Sequence, residues 1–367
     1  MILFKEKLIE EISKSYCNYY TNNYDELRFG PNPETVNYIT KIFNFFKKIF
    51  YTLFVSSNKK KKYALNVLTN ISAYLNKLEQ LYLSLDDVWS KELLIQIITF
   101  RLLGHKKYKL PLNNSSFWKT RKFCRTLIVK KSKPKKCQGW LLNLFNLKSI
   151  GLNIRLYCID IQSIFFTKQY EYIISENKKI AAKKNDVVLD AGGCFGDTTL
   201  YFANLVGKGK IYTFEPISNN LKILKFNMKL NPLLAKKIKI VKKPLWSISD
   251  KKLTLIDRGP GSKSLVKTQN SNYSKLSISI DDFVKNNRIS KVDFIKMDIE
   301  GAELPALKGG KNTIKKFRPK LAISIYHSLD DFVDIPLYIK KNFPFYKLYL
   351  KHNSIHNEET ILFAQPI

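Results

Sequence analysis

Val187 to Ala203, VVLDAGGCFGDTTLYFA, decides how the chain is read. Val187, Val188 and Leu189 form the continuous apolar run of a parallel strand buried on both faces, and Asp190 ends it where ligands bind in such sheets. Gly192, Gly193 and Gly196 lack the Cβ that would keep backbone amides away from a ligand. Asp197, Thr198 and Thr199 then open an amphipathic helix with side chains able to cap it. Strand, glycine turn and helix together predict a cradle for a nucleotide-like cofactor.

The glycine spacing alone leaves the cofactor open. A dinucleotide fingerprint would need glycine at 191, 193 and 196, and position 191 is alanine. What stands is Asp190, Gly192 and Gly196, a D-x-G-x-x-x-G spacing. Lys210 to Phe214 (KIYTF) reads as the next strand, and Glu215 at its end is placed for a bidentate hydrogen bond to two ribose hydroxyls. An NAD site would use the same acid. Further on, Val292 to Glu303 (VDFIKMDIEGAE) is another buried strand, ending in a cluster of acids.

The D-x-G-x-x-x-G turn resembles the first motif of class I S-adenosylmethionine-dependent methyltransferases. The series DAGGCFGDTT, FEP at Phe214 to Pro216, DFIKMDIEGAE and LAISIYH at Leu321 to His327 resembles the FkbM-type methyltransferase family over about residues 150 to 367. The resemblance implies a Rossmann-like α/β fold with a seven-stranded methyltransferase sheet whose last two strands form an antiparallel pair at one edge. It also implies that Asp190, Gly192, Gly196 and Glu215 bind S-adenosylmethionine and that Asp298 lies at the methyl-transfer centre. Gly193, Asp197 and Thr198 belong to the same turn. After the third strand many class I enzymes offer adenine an acidic or polar residue, whereas this chain has KKPLWS, so Leu245 and Trp246 are expected to flank the ring by apolar contact.

Methyl transfer from a sulfonium is an in-line displacement, so holding the acceptor oxygen in line supplies most of the acceleration. A hydroxyl acceptor also loses its proton, which a carboxylate or imidazole within reach assists. Asp298, Glu300 and His327 are the catalytic candidates, with Glu303 nearby. Asp298 and His327 end consecutive strands and are expected to face the crevice at the carboxyl edge of the sheet. The plainer readings are that Glu300 and Glu303 serve the start of a helix over Leu304 to Lys316, and that His327 is a hydrogen-bonded structural residue. Asp298, Glu300 and His327 are also suitable ligands for a divalent ion, but no tight ligand spacing demands one, and a metal-free site is expected. His352 ends a strand expected near the far edge of the sheet and is not counted.

Among 367 residues, 45% are hydrophobic, enough to fill a core. The net charge of +33 suggests a nucleic-acid binder, yet only eight of the 63 basic residues are arginine, the residue suited to phosphate and base recognition. The clusters Lys59 to Lys62 and Lys130 to Lys136 read as solvated loops, with attraction to an anionic substrate or a membrane surface as the functional alternative. Cys17, Cys124, Cys137, Cys158 and Cys194 are scattered without a C-x-x-C pair, which predicts neither a disulfide framework nor a zinc site and favours the cytoplasm. MILFKEKLIEEISKS reads as an amphipathic helix and not as a signal peptide. Ile42 to Val55 is too short to span a bilayer and carries Lys47 and Lys48, which suits a helix packed on its own domain, or one lying in a membrane interface.

Residues 1 to 125 read as a mainly helical accessory domain, with helices at Phe4 to Tyr20, Pro33 to Val55, Tyr63 to Leu83 and Ser90 to Leu103. Residues 126 to 150 read as a basic linker, and 151 to 367 as the methyltransferase domain. Asn153 to Asp160 and Ile164 to Tyr172 are expected to be extended, and strands are predicted near 187–190, 210–214, 238–242, 292–297, 321–326, 345–350 and 360–364. Asp257 to Ser264 (DRGPGSKS) is either a mobile substrate loop over the carboxyl edge or a hairpin connection. The function expected is S-adenosylmethionine-dependent O-methylation of a sugar, glycan or small-metabolite hydroxyl. An RNA methyltransferase, an NAD-binding oxidoreductase and a non-catalytic docking protein are the alternatives.

Overall fold

The apolar runs that alternate with amphipathic helices from residue 187 onward assemble into one seven-stranded sheet. In the computed structural model, which describes residues 2–32, 55–266 and 273–367, these strands are β1 (Val187–Ala191), β2 (Lys210–Phe214), β3 (Ile238–Val241), β4 (Phe294–Met297), β5 (Lys320–Ser324), β6 (Tyr346–His352) and β7 (Thr360–Pro366). Their order is β6-β7-β5-β4-β1-β2-β3. β1 pairs in parallel with β2 and β4, and β4 with β5, whereas β7 runs antiparallel to β5. The strand order therefore reverses between β1 and β4, which opens a crevice beyond their carboxyl ends. Val188, Leu189, Phe294, Ile295, Leu321 and Ile323 are fully buried, as strands covered on both faces require.

The chain divides into two compact units, Met1–Trp118 with Tyr349–Thr360, and Lys119–Leu348 with Ile361–Ile367. The first is mainly helical, with helices Ile2–Lys14, Ser57–Leu68, Leu75–Ser84 and Val88–Leu103. Its division from the second falls at Trp118, earlier than residue 125. The expected linker is structured: Lys135–Cys137 pairs antiparallel with Trp140–Asn146, which pairs in turn with Arg155–Cys158. Lys59 to Lys62 lie in a helix that Ser56 caps through the Lys59 amide, not in a loop. The helix expected over Pro33 to Val55 lies outside the described residues, apart from Val55 itself.

Two further expectations are corrected. Gln162–Phe166 is a wide helical turn that overlaps the start of the Ile164 to Tyr172 stretch read as extended. The helix expected over Leu304 to Lys316 is two, Glu303–Lys308 and Lys311–Phe317. The break falls at Gly309 and Gly310, and a Cβ at Gly309 would lie 2.2 Å from the Trp246 carbonyl oxygen, so only glycine lets the two backbones meet there.

Candidate active site

Asp190 is the last residue but one of β1, and its carboxylate does not line the crevice. It is fully buried and accepts hydrogen bonds from the hydroxyls of Thr198 (3.1 Å), Thr199 (2.6 Å) and Thr213 (3.3 Å). Lys296 of β4 lies 3.3 Å away, and its Nζ also donates to the carbonyls of Ala191 (3.0 Å) and Gly192 (2.6 Å). Burial alone would lower the Lys296 pKa, but Asp190, Asp298 and Asp197 outweigh it and hold the ammonium charged. Asp190, Thr198 and Lys296 therefore form a buried hub that fixes the glycine turn from below.

Gly192 follows with φ +84°, and a Cβ there would lie 1.9 Å from the Asp298 carbonyl oxygen. The amides of Gly192 and Gly193 donate to Phe214 of β2, which brings Glu215 against the turn. The Glu215 carboxylate accepts from the amides of Cys194 (2.9 Å) and Ile217 (2.7 Å). Burial pushes this acid up to about 7, although both amides favour its charged form.

A cavity opens here. Of the residues expected to hold the cofactor, Gly192, Glu215, Leu245 and Asp298 line it. Asp190, Gly193, Gly196, Asp197, Thr198 and Trp246 are not among its lining residues. Trp246 instead has the Lys251 ammonium over its ring and bonds through its amide to Ile278. The Asp257 to Ser264 segment connects two antiparallel strands and also walls the cavity through Gly259, Pro260, Ser262 and Ser264. Gln138 and Asn219 both donate to the Asp257 carboxylate, and Trp140 donates to the Arg258 carbonyl.

Opposite Glu215, β4 and β5 bring Asp298, Glu300, Glu303 and His327 together. Asp298 accepts from the hydroxyls of Tyr170 (3.1 Å) and Tyr326 (3.0 Å), one on each oxygen. Burial favours its neutral form, yet His327, Lys296 and Tyr326 hold it down to about 2. Glu303 is fully buried and accepts from the amides of Ile299 (2.7 Å) and Gly301 (2.9 Å). It thereby pins a turn in which Glu300 has φ +57° and Gly301 φ +94°. For a non-glycine residue that conformation costs about 1–3 kcal/mol and persists only where surrounding contacts enforce it.

The His327 side chain is 4% exposed, with Nε2 3.3 Å from Asp298 and 3.1 Å from Glu303, and Nδ1 3.5 Å from Glu300. These are ion-pair contacts, since Nε2 makes no aligned hydrogen bond. Burial would lower its pKa, but Glu303 and Asp298 raise it to about 11. Burial pushes Glu300 up to about 7, opposed by His327. One donor atom each from Asp298, Glu300 and His327 lie within 4.8 Å of one another. With both ring nitrogens protonated, His327 itself supplies positive charge to this acidic pocket. Glu303→Gln is expected to cost about 1–3 kcal/mol, because the new amide turns a donor toward a buried backbone N–H. Thermal unfolding beside the parent protein checks it.

Sequence reading missed Tyr170, Tyr326 and Lys296. Tyr326 stands beside His327 in a quoted motif, and Lys296 is visible as a lone cation in an apolar strand. Tyr170 gave no signal, since it is 128 residues from Asp298. His352 is buried and neutral, its pKa driven to about 3 by burial, and it bonds to Thr360 and Ser354.

The sequence model described as methyltransferase FkbM domain matches residues 190–349. That segment begins at the buried aspartate of the glycine turn and includes Glu215, the Asp298 turn and His327. The chain carries an FkbM methyltransferase domain. Its fold is similar to that of a methyltransferase FkbM from Methylobacillus flagellatus KT, with 19% identity and a TM-score of 0.50, over 81% of this chain and 60% of that one. The chain thus spans 60% of the length of that protein. A precorrin-6y C5,15-methyltransferase from Geobacter metallireducens GS-15 aligns with a TM-score of 0.34 and 12% identity, over 50% of this chain and 82% of that one. An rRNA methylase from Streptococcus thermophilus has a TM-score of 0.34 and 12% identity, over 51% of this chain and 89% of that one. No curated protein matches the chain. Among the described residues no helix is long and apolar enough to cross a membrane.

Proposed function

We propose that the FkbM domain binds S-adenosylmethionine and transfers its methyl group to a hydroxyl of a sugar, glycan or small metabolite in the cytoplasm, without a metal ion. The observation that carries this reading is that one cavity joins the glycine turn and Glu215 to Asp298 and Glu300. A cradle that a Cβ at Gly192 would fill, an acid at the end of β2 and an ionised Asp298 suit a donor with a ribose diol and a positive sulfonium. Bound there, the donor supplies an activated methyl group. Glu215 accepts the ribose hydroxyls, and Leu245 gives the base an apolar face. Asp298, fixed by two tyrosines, complements the sulfonium charge, while Glu300 and His327 complete the acceptor side. The roles of Asp190 and Thr198 are indirect, through the position of the turn. The five cysteines are free, as suits a reducing compartment.

Calorimetry with S-adenosylmethionine, S-adenosylhomocysteine and NAD tests the cofactor. Binding of the first two and not of NAD is expected, and Glu215→Gln is expected to weaken S-adenosylhomocysteine at least about tenfold by replacing charge-assisted hydrogen bonds with neutral ones. Absence of heat with both sulfur compounds, on protein shown to be folded, ends the reading. Labelled methyl is expected in the glycan or metabolite fraction of a cell extract; label confined to RNA would redirect the acceptor to nucleic acid.

A further inference from the structure

Four ionisable side chains meet where β4 and β5 end, and three of them are already committed. Asp298 takes a tyrosine hydroxyl on each oxygen. Glu303 is fully buried and takes a backbone amide on each oxygen. His327 is enclosed, with Asp298 and Glu303 at Nε2 and Glu300 at Nδ1.

Glu300 differs from all three. It lines the cavity, as Asp298 does, but its only ion-pair contact among the described residues is the one from Oε2 to His327. Oε1 is left for a ligand. Its backbone is the strained one, left-handed at a glutamate and followed by a left-handed glycine, and the buried Glu303 maintains it. A helix start needs no such conformation, so the strain is the mark of a side chain whose direction matters.

We propose that Glu300 takes the proton from the acceptor hydroxyl and that His327 is a positioning residue that holds it. The inference rests on the methyltransferase reading above. In the step, a lone pair on the acceptor oxygen forms the new C–O bond, the C–S bond breaks, and its electron pair stays on sulfur as the neutral thioether. The hydroxyl proton passes to the Glu300 carboxylate, so the positive charge of the donor and the negative charge of the base disappear together. His327 carries its protons throughout and cannot accept another.

The charged groups that act on Glu300 are Asp298, Glu303, His327 and Lys263, with Asp331 close behind Gly301. His327 does not deprotonate until about pH 11 and Asp298 is ionised above about pH 2, so Glu300 is the acceptor-side group that titrates near pH 7. The base must be ionised to act, so the rate rises as pH increases through about 7 and levels off above. Glu215 titrates in the same range, but it bears on cofactor binding and drops out at saturating donor.

The test is the initial rate of labelled methyl transfer from saturating S-adenosylmethionine into the glycan and metabolite fraction of a cell extract, as a function of pH. Glu300→Gln is expected to lower that rate about 10²–10⁴-fold and to abolish the rise near neutrality. Its affinity for S-adenosylhomocysteine is expected to stay within about twofold, since it leaves the Glu215 end of the cavity untouched. Glu300→Asp, which keeps a carboxylate, is expected to recover part of the rate and the pH dependence. The proposal is overturned if Glu300→Gln keeps the parent rate or the parent pH profile. It is also overturned if chelation abolishes the rate and a divalent ion restores it, since Glu300 would then be a ligand. Failure of the parent protein to bind S-adenosylhomocysteine would sink the cofactor reading instead, before this question is reached.

Discussion

Replacing Lys296 by methionine is expected to destabilise the sheet-containing unit by about 3–5 kcal/mol, the usual consequence of removing one partner from a buried ion pair. Both side chains of the pair are at most 1% exposed, so water cannot take over the role of the ammonium. Methionine fills nearly the same volume, which separates lost charge from lost packing. Asp190 keeps its threonine hydroxyls but loses its counter-charge, and the carbonyls of Ala191 and Gly192 lose a donor. Combining Lys296→Met with Asp190→Asn is expected to be much less costly than the sum of the single changes, because the second substitution removes the charge that the first one strands. Urea unfolding of the four proteins checks this. A single-variant loss below about 1 kcal/mol would show that the pair is not held as described.

Gly192→Ala is expected to reduce the proposed methyl transfer by about 10²-fold or more, with a matching loss of S-adenosylhomocysteine affinity. The new methyl would stand 1.9 Å from the Asp298 carbonyl oxygen, at a residue with φ +84°. Both the obstruction and the residue obstructed are backbone, so no flexible side chain can yield. Either the turn withdraws from the cavity or the backbone just beyond β4 moves at Asp298. Overpacking of this kind also costs about 1–3 kcal/mol of stability, so activity and unfolding must be measured on the same preparation. Activity within about twofold of the parent would mean that the turn does not fix the position of Asp298.

The central strands β1, β4 and β5 were legible because each is a short, mostly apolar run between turn residues, and burial on both faces leaves few other uses for such runs. Glu215 was legible from its place at a strand end after the glycine turn. Local pattern failed where long-range contact decides conformation. The helix after Glu303 reads as continuous, but it breaks where Gly309 meets the backbone of Trp246. The basic stretch after residue 126 reads as a linker, yet it forms a hairpin whose Trp140 and Gln138 tie down the wall of the cavity. Leu245 and Trp246 were both expected to flank the cofactor by apolar contact, yet only Leu245 lines the cavity, and the Trp246 ring lies under the Lys251 ammonium.

Asp190 shows the same division within a single residue. Its position after an apolar strand marked it as a ligand-binding acid, and only the packed structure reveals three threonine hydroxyls and a buried lysine around it. A carboxylate so surrounded shapes the turn from beneath.

From the chain alone follow the α/β class, the strand boundaries near the site, the glycine turn and the expectation that Asp298 and His327 face one crevice at the strand ends, because periodicity and turn chemistry are local properties. The tertiary structure decided what each group is: His327 a cation among carboxylates, Asp298 an ionised acid between tyrosines, Glu300 the acid turned toward the cavity. Protonation depends on burial and on neighbours brought together from distant segments, and neither is written in the order of residues.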